Sequence, residues 1–371
     1  MSDYPIQSIQ TALQKLQLQR LALLLIFALC TYAILLFMSG SQEVLKTVRD
    51  ANWTFIAFAM LIHYSGFAVR GHRWQLLLTM LGHSRRYVYV TALLICGWFI
   101  SALIPARAGD AVRVGLLRNT NQGDRDNINP VPIADSVGSI LLERLLDLGA
   151  ILMIGAVVGF GILRGAFPTW VFVTYVVSVT MLGVAGLGVL MTPFFLNNIK
   201  RFCLWLVTHK SVQNRRPIFA EKAIVILDKL FAFIQEMVLA VRQLAVRPVY
   251  ALILLAESLY IWLCDALVLW LVVRSLSSAT QPDLPLDAIT FVAMTVDLLA
   301  AIPITPGGIG QIETAYAAVL QFLALPMINI SATILLIRGI AYWSFLLFSG
   351  MVTLFFSMKQ FRVLAEEKLK K

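Results

Sequence analysis

Apolar runs of membrane length are interrupted twice in this chain, in the same way each time. The first interruption reads Ala102-Leu103-Ile104-Pro105-Ala106-Arg107-Ala108-Gly109-Asp110. The second reads Ala301-Ile302-Pro303-Ile304-Thr305-Pro306-Gly307-Gly308-Ile309-Gly310-Gln311-Ile312-Glu313. In both, a proline ends an apolar run, glycine follows, and a carboxylate stands where the next apolar stretch begins. Proline removes a backbone donor and glycine frees the backbone, so a helix stops there. In hydrocarbon a stopped helix survives only where protein or a water-filled cavity satisfies its freed backbone groups. Two such breaks in corresponding parts of a chain point to a transporter site near the bilayer midplane.

The remainder of the chain suits that solvent. Hydrophobic residues make up 59% and charged residues 13%, against roughly 25% charged in a soluble domain. Several runs reach the ~20 apolar residues that cross hydrocarbon. The sequence therefore predicts an all-α polytopic membrane protein, a single integral membrane domain over residues 1–371. The longest polar stretch, Arg118 to Ile133, is too short for a soluble domain. Six full spans are expected: Leu21–Met38, Trp53–Val69, Val137–Leu163, Trp170–Leu196, Tyr250–Val273 and Ser331–Phe356. The first follows Lys15 and Arg20, is long for a signal peptide and lacks a small-residue cleavage site, so it reads as a retained helix. Cys30, Cys96, Cys203 and Cys264 show no metal or redox spacing.

Basic residues sit in loops and at helix ends, so the net charge of +10 reads as membrane orientation and not as a nucleic-acid surface. Residues 197–249 hold nine Lys/Arg, the tail after Ser357 holds five, and Arg70–Arg86 holds four. Loops Ser39–Asn52, Arg164–Thr169, Arg274–Asp287 and Pro326–Ile330 hold four among them. Placing the basic group in the cytoplasm puts both termini there. Span parity then makes residues 88–118 and 288–325 re-entrant helical hairpins inserted from opposite faces, an inverted repeat. Residues 219–247 carry polar pairs every seven positions, and predict an amphipathic helix on the cytoplasmic surface.

Charged residues inside the spans admit two readings. Arg113 balances Asp110 or Glu143 and Arg338 balances Glu313 or Asp297, fixing helix register; Asp110 and Glu313 also stand where carboxylates cap new helices. Alternatively, the arginines and exposed backbone N–H groups form an anion site at the hairpin tips. Intramembrane ionisable groups favour a functional role. Glu143 and Asp147, four apart on one helix face, repel unless a cation sits with them or one is protonated. Glu257, Asp265 and Asp297 are further intramembrane carboxylates. No phosphate-binding loop, zinc motif or nucleophile elbow appears.

The ordered set Arg70-Gly-His-Arg73-Trp74, Pro105-Ala-Arg107-Ala-Gly109-Asp110-Ala-Val-Arg113, Glu143-Arg144-Leu-Leu-Asp147 and Pro303-Ile-Thr-Pro306-Gly307-Gly308-Ile-Gly310-Gln-Ile-Glu313 resembles the flippase-like membrane domain of bacterial lysylphosphatidylglycerol synthases and its stand-alone relatives. Asp110 stands where that family commonly has glutamate. The resemblance implies lipid translocation, and the chain's end soon after its last helix implies no aminoacyl-transfer domain.

The expected activity is that of a lipid transporter or flippase of the bacterial inner membrane, not an enzyme. It would need no cofactor and no metal. Its partners would be membrane lipids with anionic headgroups, such as phospholipids or polyprenyl-phosphate-linked lipids; self-association is left open. The substrate-binding set is Arg70, Arg73, Arg107, Asp110, Arg113, Glu143, Arg144, Asp147, Thr305, Gly307, Gly308, Gly310, Glu313 and Arg338. Two rivals stand beside this reading: an intramembrane enzyme acting on a lipid phosphate, and a structural or regulatory partner of a cell-envelope enzyme.

Overall fold

A computed structural model describes residues 41–104, 108–118, 130–162, 169–208, 217–277, 284–301, 305–323 and 327–356. These residues form helices and the turns between them. In chain order the helices are α1 (Ser41–Arg49), α2 (Trp53–Met80), α3 (Tyr87–Leu103), α4 (Ala108–Arg118), α5 (Ile133–Ala156), α6 (Thr169–Thr208), α7 (Pro217–Val246), α8 (Pro248–Ser275), α9 (Leu286–Ala300), α10 (Gln311–Leu320) and α11 (Met327–Arg338). Helix α5 runs on through a π-helical turn at Val157–Ile162, and α11 through another at Gly339–Ser344. The main core lies where α8, α9 and α11 meet, around Leu269, Val272, Ile289, Met294 and Ile334.

Among the described residues, three helices are long and apolar enough to cross a membrane: Thr169–Gly188, Pro248–Ser275 and Ile328–Phe356. A fourth span arises if α1 and α2, bent by 81° to one another, count as one. The described residues thus supply three or four of the six expected spans, and Leu21–Met38 lies outside them. Val137–Leu163 is not among them; its helix carries Glu143, Arg144 and Asp147 in its first half, and the segment ends outside the described residues. Ser39–Asn52, expected as a loop, holds helix α1, because Val44 is buried in the main core and Val48 packs against it one turn later. The loop expected from Arg70 is helical to Met80. Both arginines at its start have intramembrane carboxylate partners, which remove the reason to leave the helix.

Both breaks fall where the sequence places them, between α3 and α4 and between α9 and α10. Helices α3 and α4 lie against each other at two glycines. A Cβ added to Gly109 would stand 1.6 Å from the Gly97 carbonyl oxygen, so nothing larger than hydrogen fits. The Gly109 N–H donates to Ser101 Oγ at 3.1 Å. The second pair is tied by Gln311, whose Nε2 donates to the Leu299 carbonyl at 2.9 Å. A backbone group near the break is thereby satisfied inside the protein.

Helix α7 covers the expected amphipathic segment. Phe231 and Val238, seven apart, are buried, while Asp228, Lys229, Gln235 and Glu236 are exposed. Lys200 of α6 pairs with Asp228 at 2.8 Å. The outer side of α6 shows Phe172, Val176, Val179, Val184 and Leu187, the apolar surface that lipid would cover.

Candidate functional site

Between the two broken helix pairs lies a cavity of about 750 Å³. Its walls come from α2, α3, α4, α5, α8, α9, α10 and α11. Three arginines, Arg70, Arg144 and Arg338, and four aspartates, Asp110, Asp147, Asp265 and Asp297, line it. His63, Phe67, Trp98, Trp262 and Tyr316 add aromatic surface. So much charge around one space inside an apolar protein demands compensation, and the side chains supply it in three groups.

The first group is a closed ring of three arginines and three carboxylates. Arg113 donates to Glu143 at 2.7 Å and to Asp110 at 3.3 Å. Arg144 donates to Asp110 at 3.1 Å and stands 3.8 Å from Asp147. Arg73 donates to Asp147 at 2.7 Å and lies 3.9 Å from Glu143, closing the ring. Arg73, Arg113 and Glu143 are almost wholly buried behind the cavity wall, whereas Asp110, Arg144 and Asp147 face the cavity. Arg113 reaches this position because Gly97 leaves room for its stem and because its guanidinium lies over the Trp74 ring at 3.9 Å. Ser258 accepts a further bond from Arg73 at 2.9 Å, and Trp262 Nε1 donates to Asp147 at 3.1 Å.

The second group is Arg70 with Asp265, at 3.0 Å. The guanidinium is surrounded by Phe67, Trp98 and Trp262, each ring centroid within 5.8 Å. The third group organises the Pro306-Gly307-Gly308 turn. Glu313 accepts the Gly310 N–H at 2.8 Å, capping α10, and pairs with Arg338 at 2.8 Å. Arg338 also donates twice to the Gly307 carbonyl, at 3.2 Å. Thr305 Oγ1 donates to the Ile309 carbonyl at 2.7 Å. Tyr342 joins the two breaks: its hydroxyl donates to the Ala102 carbonyl at 3.3 Å, and its ring packs on Gly307.

The predicted site residues therefore divide. Arg70, Asp110, Arg144, Asp147 and Arg338 line the cavity; Arg73, Arg113, Glu143 and Glu313 hold those residues from behind; Thr305, Gly307, Gly308 and Gly310 shape the second turn. Arg107 lies outside the described residues. The cavity also recruits Asp265, Asp297 and the aromatic wall, which were not in the predicted set. The only sequence signal for the two aspartates was a carboxylate in an apolar run, and for the aromatics there was none.

Gly307, Gly308 and Gly310 all take positive φ, at 58°, 65° and 81°, a region costly for any side chain. Leucine at Gly308 would also strike Ile312, whose Cδ1 lies 2.6 Å from the added Cβ. The expected outcome is loss of activity at Gly308→Leu with membrane insertion retained. Gly186→Leu, in open space on α6, is expected to be silent. Equal tolerance in an activity and folded-yield comparison would show that the turn imposes no constraint.

Sequence relatives match this chain over most of its length. A UPF0104 membrane protein of Methanothermobacter thermautotrophicus is 26% identical over 327 residues, covering 87% of this chain and 88% of that one. A UPF0104 membrane protein of Methanocaldococcus jannaschii is 21% identical over 339 residues, covering 89% and 93%. Glycosyltransferase AglD of Haloferax volcanii is 25% identical over 326 residues, which are 81% of this chain and 48% of that protein. The family model described as the lysylphosphatidylglycerol synthase TM region matches residues 20–349, and the chain belongs to that family.

Proposed function

We propose that the protein moves a lipid with a phosphate-bearing headgroup, a phospholipid or a polyprenyl-phosphate-linked lipid, between membrane leaflets. One observation carries this reading: the charged cavity of about 750 Å³ between the two broken helix pairs. Its size falls among ligand pockets of roughly 300–1,000 Å³, enough for a headgroup while the tails stay in the bilayer. Arg144 is the phosphate contact. It lines the cavity and its side chain is 30% exposed, so part of its guanidinium is open to a ligand. In this reading the broken pairs are re-entrant from opposite faces and the termini are cytoplasmic, in a bacterial inner membrane.

Mass spectrometry of lipid kept by gently extracted protein tests the proposal. Arg144→Gln leaves Asp110 to Arg113 and Asp147 to Arg73, so folding is expected to persist while retained phosphate-bearing lipid falls. Retention equal to the parent's would overturn it. The glycosyltransferase relative favours a second reading, chemistry on a lipid phosphate. Labelled lipid incubated with purified protein separates the two, since transport returns the lipid unchanged and an enzyme yields a product.

A further inference from the structure

The two breaks touch each other. Helix α3, which ends at the first, packs against the Pro306–Gly308 turn of the second. Tyr342 stands in that seam. Its hydroxyl donates to the Ala102 carbonyl at 3.3 Å. Its ring lies so close to Gly307 that a Cβ added there would stand 2.4 Å from the ring carbon Cε2. The Arg338 guanidinium lies 4.5 Å from the ring centroid, and Arg338 is itself fastened to Glu313 and to the Gly307 carbonyl. One side chain thus ties both breaks to the last span. Phe99 of α3 packs on Gly350 further along that span and extends the seam. Arg338 and Ala341 line the cavity, whereas Tyr342 does not, so the seam lies behind the cavity wall.

Tyr342 also sits on an unusual piece of helix. Gly339–Ser344 is a π-helical turn, which holds one residue more than an α-helical turn, and such turns are frequent at functional sites. Passing that extra residue along the helix turns the side chains it passes by about 100°. Gly339 opens the turn, and a Cβ added there would meet nothing within 4 Å, so the backbone has room to change.

We propose that the seam is the barrier between the cavity and the opposite face of the membrane, and that Tyr342 is the latch that keeps it shut. A change of register in the π-helical turn withdraws the ring from Gly307 and the hydroxyl from Ala102, and the passage opens. The latch rests on the transport reading above for its purpose, since alternating access needs a barrier that opens on one side at a time.

Ala341 is exposed on the cavity wall, one position before Tyr342, and reports which face the cavity meets. The test labels Ala341→Cys with a membrane-impermeant maleimide, in spheroplasts for one face and in inverted vesicles for the other. The parent, with its own four cysteines, gives the background. Fast labelling from one face and slow labelling from the other is expected. Tyr342→Phe keeps the ring and loses one hydrogen bond, and is expected to speed the slow side about fivefold. Tyr342→Ala removes ring and bond, and is expected to bring the slow side close to the fast one. Equal labelling from both faces in Ala341→Cys alone overturns the proposal without needing any Tyr342 variant to fold. So does a slow side that Tyr342→Phe leaves unchanged. Sidedness is read without any lipid. The expected labelling in a protein that moves no fluorescent phospholipid sinks the lipid reading alone, and lipid transfer with two-sided labelling sinks the latch alone.

Discussion

Arg113→Ala is expected to destabilise the folded protein by about 3–5 kcal/mol, the cost of breaking a buried ion pair by removing one partner. Arg113 is wholly buried, and Glu143 beside it is 1% exposed. Without Arg113 the nearest cation to Glu143 is Arg73 at 3.9 Å, and Arg73 is already shared with Asp147. Glu143→Gln alone is expected to be costly for the mirror reason, since Arg113 would keep only Asp110 at 3.3 Å. The double variant removes both charges and is expected to lose less than the sum of the two single losses, because neither charge is then left alone. Thermal unfolding in detergent measures all four proteins. Strict additivity would mean that the two side chains do not act as a pair.

A second large effect is expected at the contact between α3 and α4. Gly109→Ala places a methyl group 1.6 Å from the Gly97 carbonyl oxygen and 2.5 Å from its carbon. Both are backbone atoms and cannot rotate away, so the helices must separate. Overpacking costs roughly 1–3 kcal/mol, and a backbone clash belongs at the top of that range. The separation also moves Asp110, the next residue, out of the ring. Gly115→Ala, on the same helix with nothing within 4 Å, is the matched control and is expected to leave stability unchanged. The check is melting temperature and folded yield for the two variants; equal values would show that α3 and α4 do not meet at these glycines.

The sequence revealed the breaks because proline, glycine and a carboxylate act locally. The ends of α3 and α9 and the starts of α4 and α10 follow from those residues to within two positions. Glu313 as a cap was legible for the same reason, three positions past Gly310. Pairs within reach of a motif, Arg113 with Asp110 or Glu143 and Arg338 with Glu313, were also among the readings the sequence offered. What escaped depends on partners far along the chain. Arg73 read as the start of a loop because a charge in a membrane helix is costly, yet Asp147, 74 residues later, supports it inside the helix. Arg70 needs Asp265 and three aromatic rings from three helices, which no periodicity foretells. Counted in sequence, the arginines suggested an anion site; in three dimensions each arginine described at the cavity or its wall also has a carboxylate partner.

In the proposed transport, the cavity between the broken helix pairs carries a lipid headgroup between leaflets. The most direct measurement places purified protein in liposomes with a fluorescent phospholipid and follows its loss from one leaflet. Ala300→Trp, on the cavity wall, puts a bulky apolar ring into the path of the headgroup and removes no charged group. Transfer is expected from the parent, with a fall to the rate of empty liposomes for Ala300→Trp at equal folded incorporation. Transfer by Ala300→Trp as fast as by the parent would contradict it.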